Sequence, residues 1–147
     1  MSSQQPAAPD EQAFRESYMM LETAKAQLEA LLKQQDLIQL AVEEHVRARE
    51  TIKAMSKGSP GDEVLVPLGA DSYVHARISD NRDAIVGIGS QVSVMKSNED
   101  AEKVLDLRID DLSRAFKSVS ERAQQTEQAI QELTEKLQDM QQRAAGP

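Results

Sequence analysis

Leu105, Ile109, Leu112, Phe116, Val119, Ala123, Thr126, Ile130, Leu133, Leu137 and Met140 follow one another by alternating steps of four and three residues, without a break. This spacing holds their side chains on one narrow stripe of an α-helix, wide enough to meet a second helix and too narrow to face a globule. The segment therefore needs a long helical partner. An earlier stretch supplies the same register, with Phe14, Leu21, Leu28, Gln35 and Val42 at one position and Ala24, Leu31, Ile38, His45 and Ile52 at the other. At about 1.5 Å per residue, a helix over residues 10–57 would be about 70 Å long.

Composition agrees with burial along a seam. The chain has 147 residues, 39% of them hydrophobic, with two Phe, two Tyr and no Trp, a thin supply for one compact core of that length. Its net charge of −8 argues against nucleic acid, because binding to phosphates draws on clustered Lys and Arg. The absence of Cys excludes disulfide scaffolds and thiolate metal sites. Residues 1–9 read MSSQQPAAP, with neither a basic nor an apolar region of a leader, and no stretch has the roughly 20 apolar residues of a membrane span. A soluble intracellular protein is the expectation.

Between the two helical stretches the period changes. Gly58 is expected to end the first helix in a left-handed cap, and Pro60 prevents its continuation. Short β-branched runs follow: Val64 to Val66, Tyr73 to Ile78, Ala84 to Ile88 and Val92 to Met95. They read as four strands forming two hairpins in series, turning at Gly69-Ala70-Asp71 and Gly89-Ser90-Gln91 with the polar residues 79–83 between them. Ser97 is a good N-cap for the second helix, with Asp100 three residues on as in a capping box. The resulting division is a disordered tail over 1–9, a helix over 10–57, hairpins over 58–97, a helix over 98–143 and a short tail over 144–147.

Two helices of similar length joined by hairpins bury both seams most simply as an antiparallel pair, with both termini at one tip. Small uncovered hairpins leave apolar faces and open edges, so strands from other subunits are expected to complete them. The order helix, two hairpins, helix, with Leu65-Val66-Pro67-Leu68-Gly69 opening the strands and residues 85–94 reading IVGIGSQVSV, resembles the alpha-class prefoldin subunit of archaeal type. The likeness covers nearly the whole chain. It departs at Asp71 and Gln91, where the family often has a second glycine in each turn.

The resemblance implies a mainly α fold with a small β region, a long coiled-coil hairpin whose β-hairpins join a β-barrel body in the oligomer. It implies a cytoplasmic ATP-independent chaperone subunit, two alpha with four beta subunits, which holds non-native polypeptides and passes them to a group II chaperonin. Val64, Leu65, Val66, Pro67, Gly69, Val74, Ile78, Ile85, Val86, Gly89, Val92 and Val94 would serve assembly. At the tip, Phe14, Tyr18, Met19, Met20, Leu21, Leu133, Leu137 and Met140 are the candidate client contacts. Phe14, Leu21, Leu133, Leu137 and Met140 hold seam positions and can equally be core, whereas Tyr18, Met19 and Met20 are surplus. Methionine is unbranched and polarizable, which suits varied partners.

No catalytic constellation, cofactor site or metal site is expected: there is no phosphate-binding glycine loop, G-x-S-x-G or Cys nucleophile, and His45 and His75 have no second ligand at suitable spacing. Asp106 and Asp110 read as a solvated face, with Asp110 able to pair with Arg114. Gln35 reads as a polar residue that pins register. The competing reading is a structural or adaptor coiled coil that binds one defined partner helix and leaves no spare apolar surface at the tip.

Overall fold

The computed structural model describes residues 9–146. Helix α1 spans Pro9–Lys57, strand β1 Glu63–Gly69, β2 Ser72–Arg77, β3 Asp83–Gly89 and β4 Val92–Ser97, and helix α2 spans Asn98–Ala144. Of the expected N-terminal tail, residues 1–8 lie outside the described part, as does Pro147. Helix α1 starts on Pro9, and proline suits a first helical position because the N–H it lacks would have no partner there. Asp10 and Glu11 in the first turn, and Lys57 in the last, complement the helix dipole.

The chain divides into two compact units, one made of α1 through Ile38 with α2 from Ala115, the other of residues 39–114. In the first, Leu31, Val119 and Ala123 form a buried cluster, with Leu28 and Ile38 packed against it. The Gln35 amide donates to the Ser120 hydroxyl at 2.7 Å across the seam. Residue numbers rise along one helix as they fall along the other, so the pair is antiparallel. In the second unit Arg49 donates to Asp106 at 2.9 Å, again between α1 and α2. Every apolar residue assigned to either seam is buried or half-buried, as are Gln35, His45 and Thr126.

The strands form two separate antiparallel hairpins, β1 with β2 and β3 with β4. Their geometry repeats: Val66 lies opposite Val74 and Val86 opposite Val94, and each ladder shifts register just before its turn, between Pro67 and Gly69 or Gly87 and Gly89. Ala70 and Asp71, like Ser90 and Gln91, have positive φ at both central turn positions, the condition for the tight turn that matches the twist of the strands. The chain thus accepts left-handed backbone at Asp71 and Gln91 without glycine.

Two local expectations meet different outcomes. Gly58 is not left-handed, which corrects the first; the positive φ, 92°, belongs to Gly61. Gly58 serves close approach instead, because a Cβ there would meet Asp62 Oδ2 and Ile78 Cδ1 at 3.3 Å. Ile78 lies one residue past β2, where its N–H donates to Asp62 O at 2.9 Å and its carbonyl accepts from Gly61 at 2.7 Å, closing the base of the first hairpin. At the start of α2, the Asp100 N–H donates to Ser97 Oγ at 3.2 Å, the N-cap bond expected of that pair.

Candidate functional site

Successive helical residues are rotated by about 100°, so three neighbours cannot all face one seam. At the beginning of α1 the seam takes Phe14, Ser17 and Leu21, leaving Tyr18, Met19 and Met20 outside with 51%, 68% and 59% of their surface exposed. Leu21 and Leu137 are buried, and Phe14, Leu133 and Met140 are half-buried. The eight candidate tip residues therefore separate. Leu21 and Leu137 hold the helices together and offer little surface, whereas Tyr18, Met19 and Met20 are three successive exposed side chains outside the seam. Ser17, buried to 3% exposure, belongs to the same seam seven residues before Ala24, and carrying the register back one heptad locates it.

Beyond these side chains, the helix ends border an open cleft of about 680 Å³ lined by Asp10, Glu11, Phe14, Arg15, Met140, Gln141, Arg143 and Ala144. Of the tip candidates, only Phe14 and Met140 reach it. Its lining combines apolar Phe14, Met140 and Ala144 with side chains of both charge signs, an arrangement suited to binding. Among the described residues no group of three or more His, Cys, Asp or Glu is placed to hold a metal ion. No described helix is long and apolar enough to cross a membrane.

The hairpins supply a second surface. Leu65, Val66, Pro67, Gly69, Val74, Ile85, Gly89 and Val92 are exposed, and Val64 and Val94 half-buried. Ile78 and Val86 are covered by the chain itself, so any part they play in assembly is to hold the hairpins in shape. Leu68, Tyr73, Ile88 and Met95 are also exposed, and Met95 lies directly opposite Ile85. Alternation along the strands could have added these four residues to the apolar surface. His75 lies opposite Leu65, with its Nδ1 3.4 Å from Glu63 Oε1. A two-stranded hairpin with an uncovered apolar face is marginal by itself in water.

Contacts distant in sequence hold the hairpins to the helices. The Asn81 amide donates to Gly58 O and, at 3.4 Å, to Ser56 O, while the Asn98 amide donates to Asn81 O and the Asn98 N–H to Arg82 O at 2.9 Å. Two asparagines thereby tie the end of α1, the middle turn and the start of α2 together. Arg108 donates to the Gly87 carbonyl. Asp106 is not merely solvated: chiefly through its hydrogen bond, it holds the Arg49 guanidinium above its ordinary pKa, burial opposing. Arg114 lies 3.9 Å from Asp111, three residues away, in place of the expected pairing with Asp110. The half-buried His45 sets Nδ1 at 2.6 Å from Ala41 O, an interaction within the helix.

Residues 24–143 match the family model for prefoldin subunits, which is most of the chain and includes both hairpins. The chain belongs to the prefoldin family. Among its relatives are prefoldin subunit alpha of Methanothrix thermoacetophila, 32% identical over 80% of this chain and 76% of that protein, and prefoldin subunit alpha of Pyrococcus horikoshii, 32% identical over 81% of each. A filamentous prefoldin from Methanocaldococcus jannaschii shares the fold, with a TM-score of 0.62 and 24% identity over 84% of this chain and 96% of that one. The prefoldin match begins three residues after Leu21, so it takes in Leu133, Leu137 and Met140 and leaves Phe14 to Leu21 before its start.

Proposed function

We propose that this prefoldin subunit is one arm of an ATP-independent holding chaperone, with Tyr18, Met19 and Met20 as its client-binding surface. The observation that carries the reading is their exposure beside seam residues that already complete the helical pair. An adaptor that binds one partner helix has no use for surplus apolar side chains at that place. Each arm holds an apolar segment weakly, and several arms on one unfolded chain gain affinity through effective concentration, so capture needs no nucleotide and release proceeds arm by arm. Methionine adapts to many client sequences because its side chain is flexible and polarizable.

The same proposal includes the partners. The exposed hairpin faces pair with beta subunits, two alpha with four beta, and the loaded complex passes its client to a group II chaperonin in the cytoplasm. The subunit performs no catalysis and needs no cofactor. The test is light scattering from a chemically denatured client diluted without ATP into the intact complex, or into one whose alpha chains lack residues 1–21 and 133–147, with the oligomer checked in both. Suppression that is lost on trimming supports the reading. No suppression by the intact complex refutes it and favours the adaptor.

A further inference from the structure

The chain has no cysteine, so its oxidisable sulfur is confined to six methionines, Met1, Met19, Met20, Met55, Met95 and Met140. Their surroundings differ. Met55 and Met140 are half-buried, and Met95, though 70% exposed here, lies on a hairpin face that the proposed assembly covers. Met19 and Met20 are adjacent, open to solvent and outside the seam. We infer that Met19 and Met20 form a reversible oxidation site at which hydroperoxides switch off client binding while the helical pair stays folded. This rests on the client-capture reading for its consequence, and for its location on exposure together with the proposed assembly, which covers Met95.

The chemistry is an oxygen transfer. A thioether lone pair attacks the peroxide, an S–O bond forms as the O–O bond breaks, and the departing oxygen leaves as water with hydrogen peroxide or as an alcohol with an organic hydroperoxide. Sulfur loses two electrons and the peroxide gains them. The product sulfoxide is polar, so the site loses the apolar character that makes it adaptable, and thiol-dependent sulfoxide reductases reverse the step. Because Leu21, Leu31, Val119 and Leu137 keep the seam without sulfur, oxidation at Met19 and Met20 removes no core contact.

The experiment treats the assembled complex with graded hydrogen peroxide, maps sulfoxides by peptide mass spectrometry, and measures binding of a labelled unfolded client before and after a methionine sulfoxide reductase. Met19 and Met20 are expected to oxidise ahead of Met55, Met95 and Met140. Client affinity should fall roughly tenfold, on the scale of two exposed apolar side chains made polar, with unchanged helical circular dichroism and recovery on reduction. A complex carrying Met19→Leu and Met20→Leu, whatever its starting affinity, should keep that affinity through peroxide treatment, and a loss equal to that of the original would overturn the inference. If Met55 or Met95 oxidises first, or if the oxidised complex binds as before, the inference is overturned while the chaperone reading stands. If the untreated complex binds no client, the chaperone reading itself fails, and the oxidation order still decides whether the site exists.

Discussion

Replacing Met19 and Met20 with glutamine separates client binding from folding in one variant. Glutamine is nearly as good a helix former as methionine and of similar length, and both positions are exposed outside the seam, so the helical pair should change by less than about 0.5 kcal/mol. Fully burying a methionine side chain is worth about 1.5–3 kcal/mol. Met19 has 68% of its surface still open and Met20 59%, which leaves a client about 1–2 kcal/mol to gain on each. The pair thus offers at most about 2–4 kcal/mol per arm, and glutamine keeps roughly half of that through its methylenes. The expected loss is about 1–2 kcal/mol, or about five- to thirtyfold in the Kd of one arm. Fluorescence anisotropy of a short labelled unfolded peptide, titrated with intact and variant complexes of equal thermal stability, reads this directly. A change of less than about twofold would refute the reasoning, because the two methionines would then contribute nothing to binding.

Other substitutions test the framework. Leu137→Ala opens a cavity in the buried seam and should cost about 2–5 kcal/mol, seen as faster hydrogen exchange near the helix ends with the hairpin amides unchanged. Gln91→Gly relieves left-handed backbone at φ 62° and should raise stability by about 0.5–1 kcal/mol after the entropy cost of glycine, whereas Gly89→Ala, at φ 112°, should lower it by at least about 1 kcal/mol; thermal denaturation of the complex measures both. Gln35→Ala removes the partner of Ser120 in the seam and should cost about 1–2 kcal/mol in the same assay, with no change if that bond contributes nothing.

The legible part of the structure is periodic. Leu105 to Met140 announce their helix through neighbours three and four residues away, and the change to β-branched runs at Val64 marks the first hairpin through neighbours two away. At the tip, the same counting identifies Tyr18, Met19 and Met20 as surplus, because the seam positions on either side are already occupied. It fails where a residue has more than one use. Glycine before a proline reads as a helix cap, yet Gly58 makes room for Ile78 and Asp62, and the left-handed position falls on Gly61. Arg114 has acidic residues both three and four positions before it, and spacing alone does not choose between them.

Sequence by itself therefore determined the helices, the hairpins, their antiparallel order and the stripe that each helix buries, because those depend on hydrophobic period and on turn residues close in the chain. Tertiary structure decided which stripe residues close the seam and which stay open, as Leu21 and Leu137 differ from Met19. It also paired Gln35 with Ser120, 85 residues apart, Arg49 with Asp106, 57 apart, and Asn81 with Gly58. Such pairs depend on where two distant backbones come to rest against each other, and a local pattern of residues carries no record of that distance.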